Sequence, residues 1–192
     1  MKFIGIDLAA SEKNPTGLAT LEKNKKTKIT TKILFTNREI LEEIKKSKPK
    51  VVAIDAPLFL PLGRKNLRKS KIHFRSCDKE LLKMKIKFFP ISIGPMRSLT
   101  KRGISLRKTL EKMKIKVIET FPGAIYDILG INRKNPSNLK KFIKFNPKGK
   151  SIHEIDAIAC AYIAKLFSEG KVRKIGNRRE GYMYIPVNNK NK

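Results

Sequence analysis

Aspartate is scarce in this chain, so the places it occupies are informative: Asp7, Asp55, Asp78, Asp127 and Asp156. Two of them close matching words. Ile4-Gly5-Ile6-Asp7-Leu8-Ala9 and Val52-Ala53-Ile54-Asp55-Ala56-Pro57 are apolar runs that stop on a carboxylate followed by small or turn residues. Val117-Ile118-Glu119-Thr120 repeats the pattern with glutamate. Short apolar runs of this kind read as buried strands, and open α/β sheets bind ligands outside the carboxyl ends of their strands. One strand-end acid is adequately explained as the cap of the following turn. Three would point several like charges at one crevice, an arrangement that is costly unless a cation sits among them. Oxygen-rich, thiol-free donors suit hard ions such as Mg²⁺ or Mn²⁺.

The segment from Ser151 to Phe167 supplies a further acid. At 100° per residue from Ile152, the apolar residues Ile155, Ala159, Tyr162, Ile163, Leu166 and Phe167 form one stripe, and Asp156 falls inside it at about 40°. A carboxylate on a core-facing stripe needs a partner, and a metal shared with the strand-end acids would be one. Glu154 falls at about 200°, near Lys165, and Ser151-Ile152-His153-Glu154 fits a capping box. His153 precedes Asp156 by three residues, so both can reach one site.

These side chains need a scaffold to hold them. Phe3 to Leu8 reads as a buried strand, and residues 16–23 and 27–36 as a hairpin turning at Asn24-Lys25-Lys26. Asn37 is placed to cap a helix over 38–47, and Val51 to Ile54 is a second buried strand. Ser76 is placed to cap a helix over 77–86, residues 88–96 read as a packed loop, and a basic helix fills 97–113. Lys116 to Ile118 is a third buried strand, residues 131–150 are loop-like, and Gly170 stops the last helix. A hairpin followed by strands alternating with helices predicts a mixed sheet with a parallel part.

Charge narrows the partner. The chain of 192 residues carries 45 Lys plus Arg against 16 Asp plus Glu, a formal charge of +29. Residues 64–116 hold 18 basic residues against Asp78, Glu80 and Glu111, a net +15. Glutamate is not raised alongside lysine, as a heat-adapted composition would have it. The excess therefore points to nucleic acid ahead of an acidic protein partner or a lysine-rich genomic bias. Arg64, Lys65, Arg68 and Arg75 are the candidate substrate contacts. No apolar run nears the roughly 20 residues of a membrane span, and the early Asp7 argues against a signal peptide. Cys77 and Cys160 have neither disulfide nor zinc spacing. The expected protein is soluble and cytoplasmic, with one domain over residues 1–187 and a disordered polar tail at 188–192.

The words Gly5-Ile6-Asp7-Leu8-Ala9, Ile54-Asp55-Ala56-Pro57, Arg75-Ser76-Cys77-Asp78, Glu119-Thr120-Phe121-Pro122 and His153-Glu154-Ile155-Asp156-Ala157 occur in this order. Together they resemble a domain-of-unknown-function family of predicted nucleases with an RNase H-like fold, related to RuvC-type resolvases. The resemblance implies an α/β fold with a mixed five-stranded sheet, order 3-2-1-4-5 and strand 2 antiparallel, flanked by helices. It makes the strands of Asp7 and Asp55 neighbours, about 4.8 Å apart, and matches Asp7, Asp55, His153 and Asp156 to the resolvase metal set. Resolvases usually carry Glu where this chain has Asp55. Glu119, one strand further out, fits a supporting or substrate role. The implied activity is two-metal hydrolysis of a phosphodiester with Mg²⁺ or Mn²⁺. The alternatives are a nucleic-acid-binding protein whose acids are structural or vestigial, and a phosphotransferase of the same superfold.

Overall fold

The computed structural model describes residues 1–24, 27–68 and 70–187. Lys25 and Lys26 of the expected turn, Lys69, and the expected polar tail at 188–192 lie outside the described residues.

The apolar words form strands where the sequence places them. β1 spans Lys2–Asp7, β2 Thr16–Lys23, β3 Thr27–Leu34, β4 Val51–Asp55 and β5 Lys116–Thr120. A hairpin that the sequence reading left unassigned adds β6, Val172–Asn177, and β7, Gly181–Pro186. All seven join in one sheet, ordered β3-β2-β1-β4-β5-β7-β6. β2 is antiparallel to both neighbours, while β1, β4 and β5 run parallel. The first five strands thus stand in the expected order, and β7 extends the sheet beyond β5 at Glu119↔Met183.

Side chains alternate across this sheet, as strand geometry requires. Phe3, Val51, Ala53 and Ile118 face one core with Ile155, Ile158 and Ala161; Ile4, Ile6, Val52 and Ile54 face the other with Ile40, Ile44, Leu106 and Leu110. The second core is closed by α1 (Asn37–Ser47) and α3 (Gly94–Lys112), and α2 spans Ser76–Lys83. The caps differ by one residue from expectation. Thr36, not Asn37, accepts from Glu39 N–H and completes a capping box, and Arg75 is the cap of α2. α3 starts at Gly94, inside the expected loop, because Pro95 fits a first turn whose N–H groups have no partner. Pro122 likewise opens α4 (Pro122–Leu129), which ends on Gly130 at φ 68°.

α5 (Ile152–Ser168) covers the first core, and its capping box of Ser151 and Glu154 is the expected one. Its buried surface is wider than one stripe, taking in Ala157, Ile158, Cys160, Ala161 and Ala164. The reason is that Tyr126 of α4 and Leu139 of a short 3-10 helix, Pro136–Lys141, pack into the same core as α5 and the sheet. Both cysteines are free and buried.

Candidate metal centre

β1 and β4 are paired so that Asp7 stands beside Asp55, each the last residue of its strand. Both follow residues facing the α5 core, Gly5 and Ala53 two positions earlier, so both belong to that face. α5 reaches it by lying directly on backbone. A Cβ on Gly5 would stand 2.1 Å from Ala157 O, and one on Gly17 would stand 2.0 Å from His153 O. These two hydrogens in place of side chains bring the first turns of α5 onto the ends of β1 and β2.

The result brings the four expected residues to one end of the sheet, with one direct contact shown among them. His153 Nδ1 lies 2.7 Å from Asp7 Oδ2, with the imidazole about two-fifths exposed. One helical turn on, Asp156 Oδ1 accepts a hydrogen bond from the Tyr126 hydroxyl. Tyr126 is the residue that sequence reasoning missed. Its signal was available, since Pro122 and Gly130 bracket an eight-residue helix by the usual start and stop rules. Glu154 points away, accepting from Thr31 on β3 and from the Ser151 cap, while Lys165 pairs with Glu169 rather than with Glu154.

Burial and mutual repulsion set the electrostatics. Asp55 is pushed well above the ordinary carboxylate range, first by burial and then by Asp7, Asp156 and Glu119. Burial also raises Asp7, with the His153 hydrogen bond and charge opposing it. Asp156 is raised to about 6 by burial and by Asp7, against the lowering effect of the Tyr126 hydrogen bond. Crowded carboxyls of this kind hold protons at pH values where free ones do not, or take up a cation instead. The donors fit a hard divalent ion in type. Among the described residues, however, no three His, Cys, Asp or Glu side chains converge to hold an ion. Asp7 is turned to His153 and Asp156 to Tyr126, so closing on an ion requires those two carboxylates to rotate.

Glu119 is not in this group. In register with Ile54, it lies on the opposite face of the sheet from Asp7 and Asp55. β5 continues one residue past it to Thr120, and one residue reverses the face. There Glu119 Oε2 accepts from Leu58 N–H at 2.7 Å and from Arg75 Nη1 at 2.8 Å. Arg75 also grips Asp78 through Nε and Nη2. At 2% exposure, Arg75 is a core ion pair rather than a surface phosphate contact. Arg64 is turned inward too, holding the carbonyls of Asn66, Arg68 and Ile72. Arg102 ties Ala9, Ser11 and Phe35 together in the same manner. Lys65 and Arg68 are exposed, as are Lys71, Lys79, Lys83, Lys85, Lys87, Arg97 and Lys101. The basic segment is therefore divided between arginines that fix loops and a surface made largely of lysine.

No helix among the described residues is long and apolar enough to cross a membrane. No protein-family model and no curated protein sequence matches the chain. Among solved structures the chain is similar to T. thermophilus RuvC in complex with a Holliday junction substrate, at a TM-score of 0.56 and 13% identity. The likeness spans 88% of this chain and 97% of that one. With helices on both faces of a mixed sheet ordered 3-2-1-4-5 in its first five strands, the chain has the RNase H-like fold of that structure.

Proposed function

We propose that this protein is a metal-dependent nuclease, a phosphodiesterase acting on nucleic acid. The observation that carries the reading is the Asp7–Asp55 pair, in register at the ends of adjacent parallel strands and faced by His153 and Asp156 of α5. The likeness to a resolvase solved with its junction, together with the lysine-rich surface, supports nucleic acid as the substrate.

Asp7, Asp55 and Asp156, with His153, are the residues that would hold Mg²⁺ or Mn²⁺. A divalent ion held there would supply an activated water and charge stabilisation for the leaving oxygen. The chain's own groups do the rest. Tyr126 donates to Asp156 and holds its carboxylate in place until an ion draws it away. His153, about two-fifths exposed beside Asp7, forms the open side of the site. Lys65 and Arg68 lie in a loop braced by Arg64 and hold the phosphate backbone, adding affinity rather than sequence choice.

A panel of branched, duplex and single-stranded DNA and RNA, incubated with Mg²⁺, Mn²⁺ or EDTA, tests the reading. Cleavage that requires the metal supports it. Binding without cleavage under every condition would instead assign the chain to nucleic-acid binding, with acids that only shape the fold.

A further inference from the structure

On the face of the sheet that carries Glu119, a cavity of about 760 Å³ opens beside Asp55. That volume lies within the usual range of ligand pockets, about 300–1,000 Å³. Leu82, Phe88, Met96 and Phe121 give it apolar and aromatic walls, and Arg75 and Glu119 form its buried polar part. Lys85 and Lys87 also line it and are exposed. Neither the metal centre nor the phosphate contacts account for this space.

Its polar part is incomplete by itself. Arg75 faces two carboxylates, Asp78 and Glu119. Both Glu119 oxygens approach Arg75 Nη1, but the hydrogen bond points at Oε2, and buried Oε1 has no hydrogen-bond donor. Buried acceptors are nearly always satisfied, and Oε1 keeps only its ion-pair contact with Arg75, with no hydrogen bond of its own. A ligand that brings an N–H group to Oε1 completes the network.

Three features choose the ligand. Aromatic and apolar walls accept a flat heteroaromatic ring. Oε1, without a hydrogen bond, has room for a donor, and the two lysines suit a phosphate. Enzymes that work on nucleic acids receive unstacked bases in pockets of this composition, stacking the ring and reading its Watson–Crick edge. We propose that this cavity takes one unstacked nucleobase bearing an exocyclic amino group, which donates to Glu119 Oε1. The proposal rests on the nuclease reading, because the cavity reaches the end of β4, where Asp55 borders it from the metal-centre side of the sheet, which would set the base near the phosphate to be cut. Adenine, cytosine and guanine carry the amino group. Thymine and uracil offer only a ring N–H between two carbonyl oxygens, which a carboxylate repels.

The test is binding, in EDTA, of labelled thymine 12-mers whose central position is thymine, adenine, cytosine, guanine or abasic. One amino-bearing base is expected to tighten binding about tenfold over the all-thymine strand, the scale of one hydrogen bond to a charged group. Leu82 is about half exposed at the cavity, so Leu82→Trp sets an indole across the space a base would occupy without touching the core. It is expected to erase the preference, whereas Leu82→Ala keeps it and Glu119→Gln weakens it. Strands that bind equally well whatever the central position would overturn the base pocket and leave the nuclease reading intact. Binding of AMP, CMP and GMP that Leu82→Trp abolishes, without any oligonucleotide binding, would keep the pocket as a site for free nucleotides and overturn the nuclease reading. Binding of neither overturns both.

Discussion

Asp156→Asn probes the acid cluster without touching the strands that carry its other members. The Asp156 carboxyl is raised from 3.8 to about 6, first by burial and then by Asp7, with the Tyr126 hydrogen bond and the His153 charge opposing. A raised value means that the folded chain holds this proton more tightly than the unfolded chain. The stability it contributes is complete below about pH 4 and is lost as pH rises through about 6. Two pH units at about 1.4 kcal/mol each give about 3 kcal/mol across that window. Asparagine cannot ionise, still accepts from Tyr126, and removes one repelling neighbour from Asp7. In EDTA the variant should match the parent near pH 4 and exceed it at pH 8 by up to about 3 kcal/mol. For a domain of this size that is about 6–12 °C in Tm. Adding Mn²⁺ at 100 times its Kd stabilises the parent by about 2.7 kcal/mol, and the variant should lose most of that gain. Glu154→Gln, which can still complete its capping box, should keep the full metal shift. Thermal melts of the three proteins at pH 4, 6 and 8, with and without Mn²⁺, read every one of these quantities. A variant less stable than its parent at pH 8 in EDTA, or one that keeps the Mn²⁺ shift, refutes the reasoning.

Other parts of the account predict distinct outcomes. Gly5→Ala sets a methyl 2.1 Å from Ala157 O and must lift α5 from the sheet, costing about 3 kcal/mol or more in urea unfolding. Arg75→Ala leaves Asp78 and Glu119 buried without their cation, which costs about 3–5 kcal/mol at neutral pH. That loss should shrink on acidification as Glu119, already raised by burial, takes up a proton. Six phosphate contacts give log affinity against log salt a slope of roughly −5, and Lys65→Ala with Arg68→Ala should flatten it by about 2 with no change in Tm. Affinity that does not respond to salt would remove the electrostatic account.

The Asp7–Asp55 pair was legible because buried parallel strands are continuous apolar runs, in which a terminal acid stands out. Asp156 was legible because it breaks a helical stripe. Glu119 carries the same word, yet its strand runs one residue longer, and a single residue decides the face. That offset is set by packing between strands and leaves no mark in the local sequence. Arg64 and Arg75 were misjudged for a related reason. A count of charges cannot separate a guanidinium spent on carbonyls and buried carboxylates from one offered to solvent. The last hairpin was hidden because Arg173 and Lys174 interrupt the alternation of β6, although Gly181 at φ 80° marks its turn. The cavity beside Asp55 draws its lining from α2, α3, β4, β5 and β7, and only the assembled fold brings these together.

Asp7 and Asp55 are proposed to hold the metal that cuts nucleic acid. The most direct measurement compares parent, Asp7→Asn and Asp55→Asn for cleavage of the best substrate in Mg²⁺ or Mn²⁺, with binding of that substrate followed in EDTA. Each substitution is expected to abolish cleavage while binding stays within about twofold of the parent, since the lysine-rich surface supplies the phosphate contacts. Full cleavage by either variant would contradict that assignment.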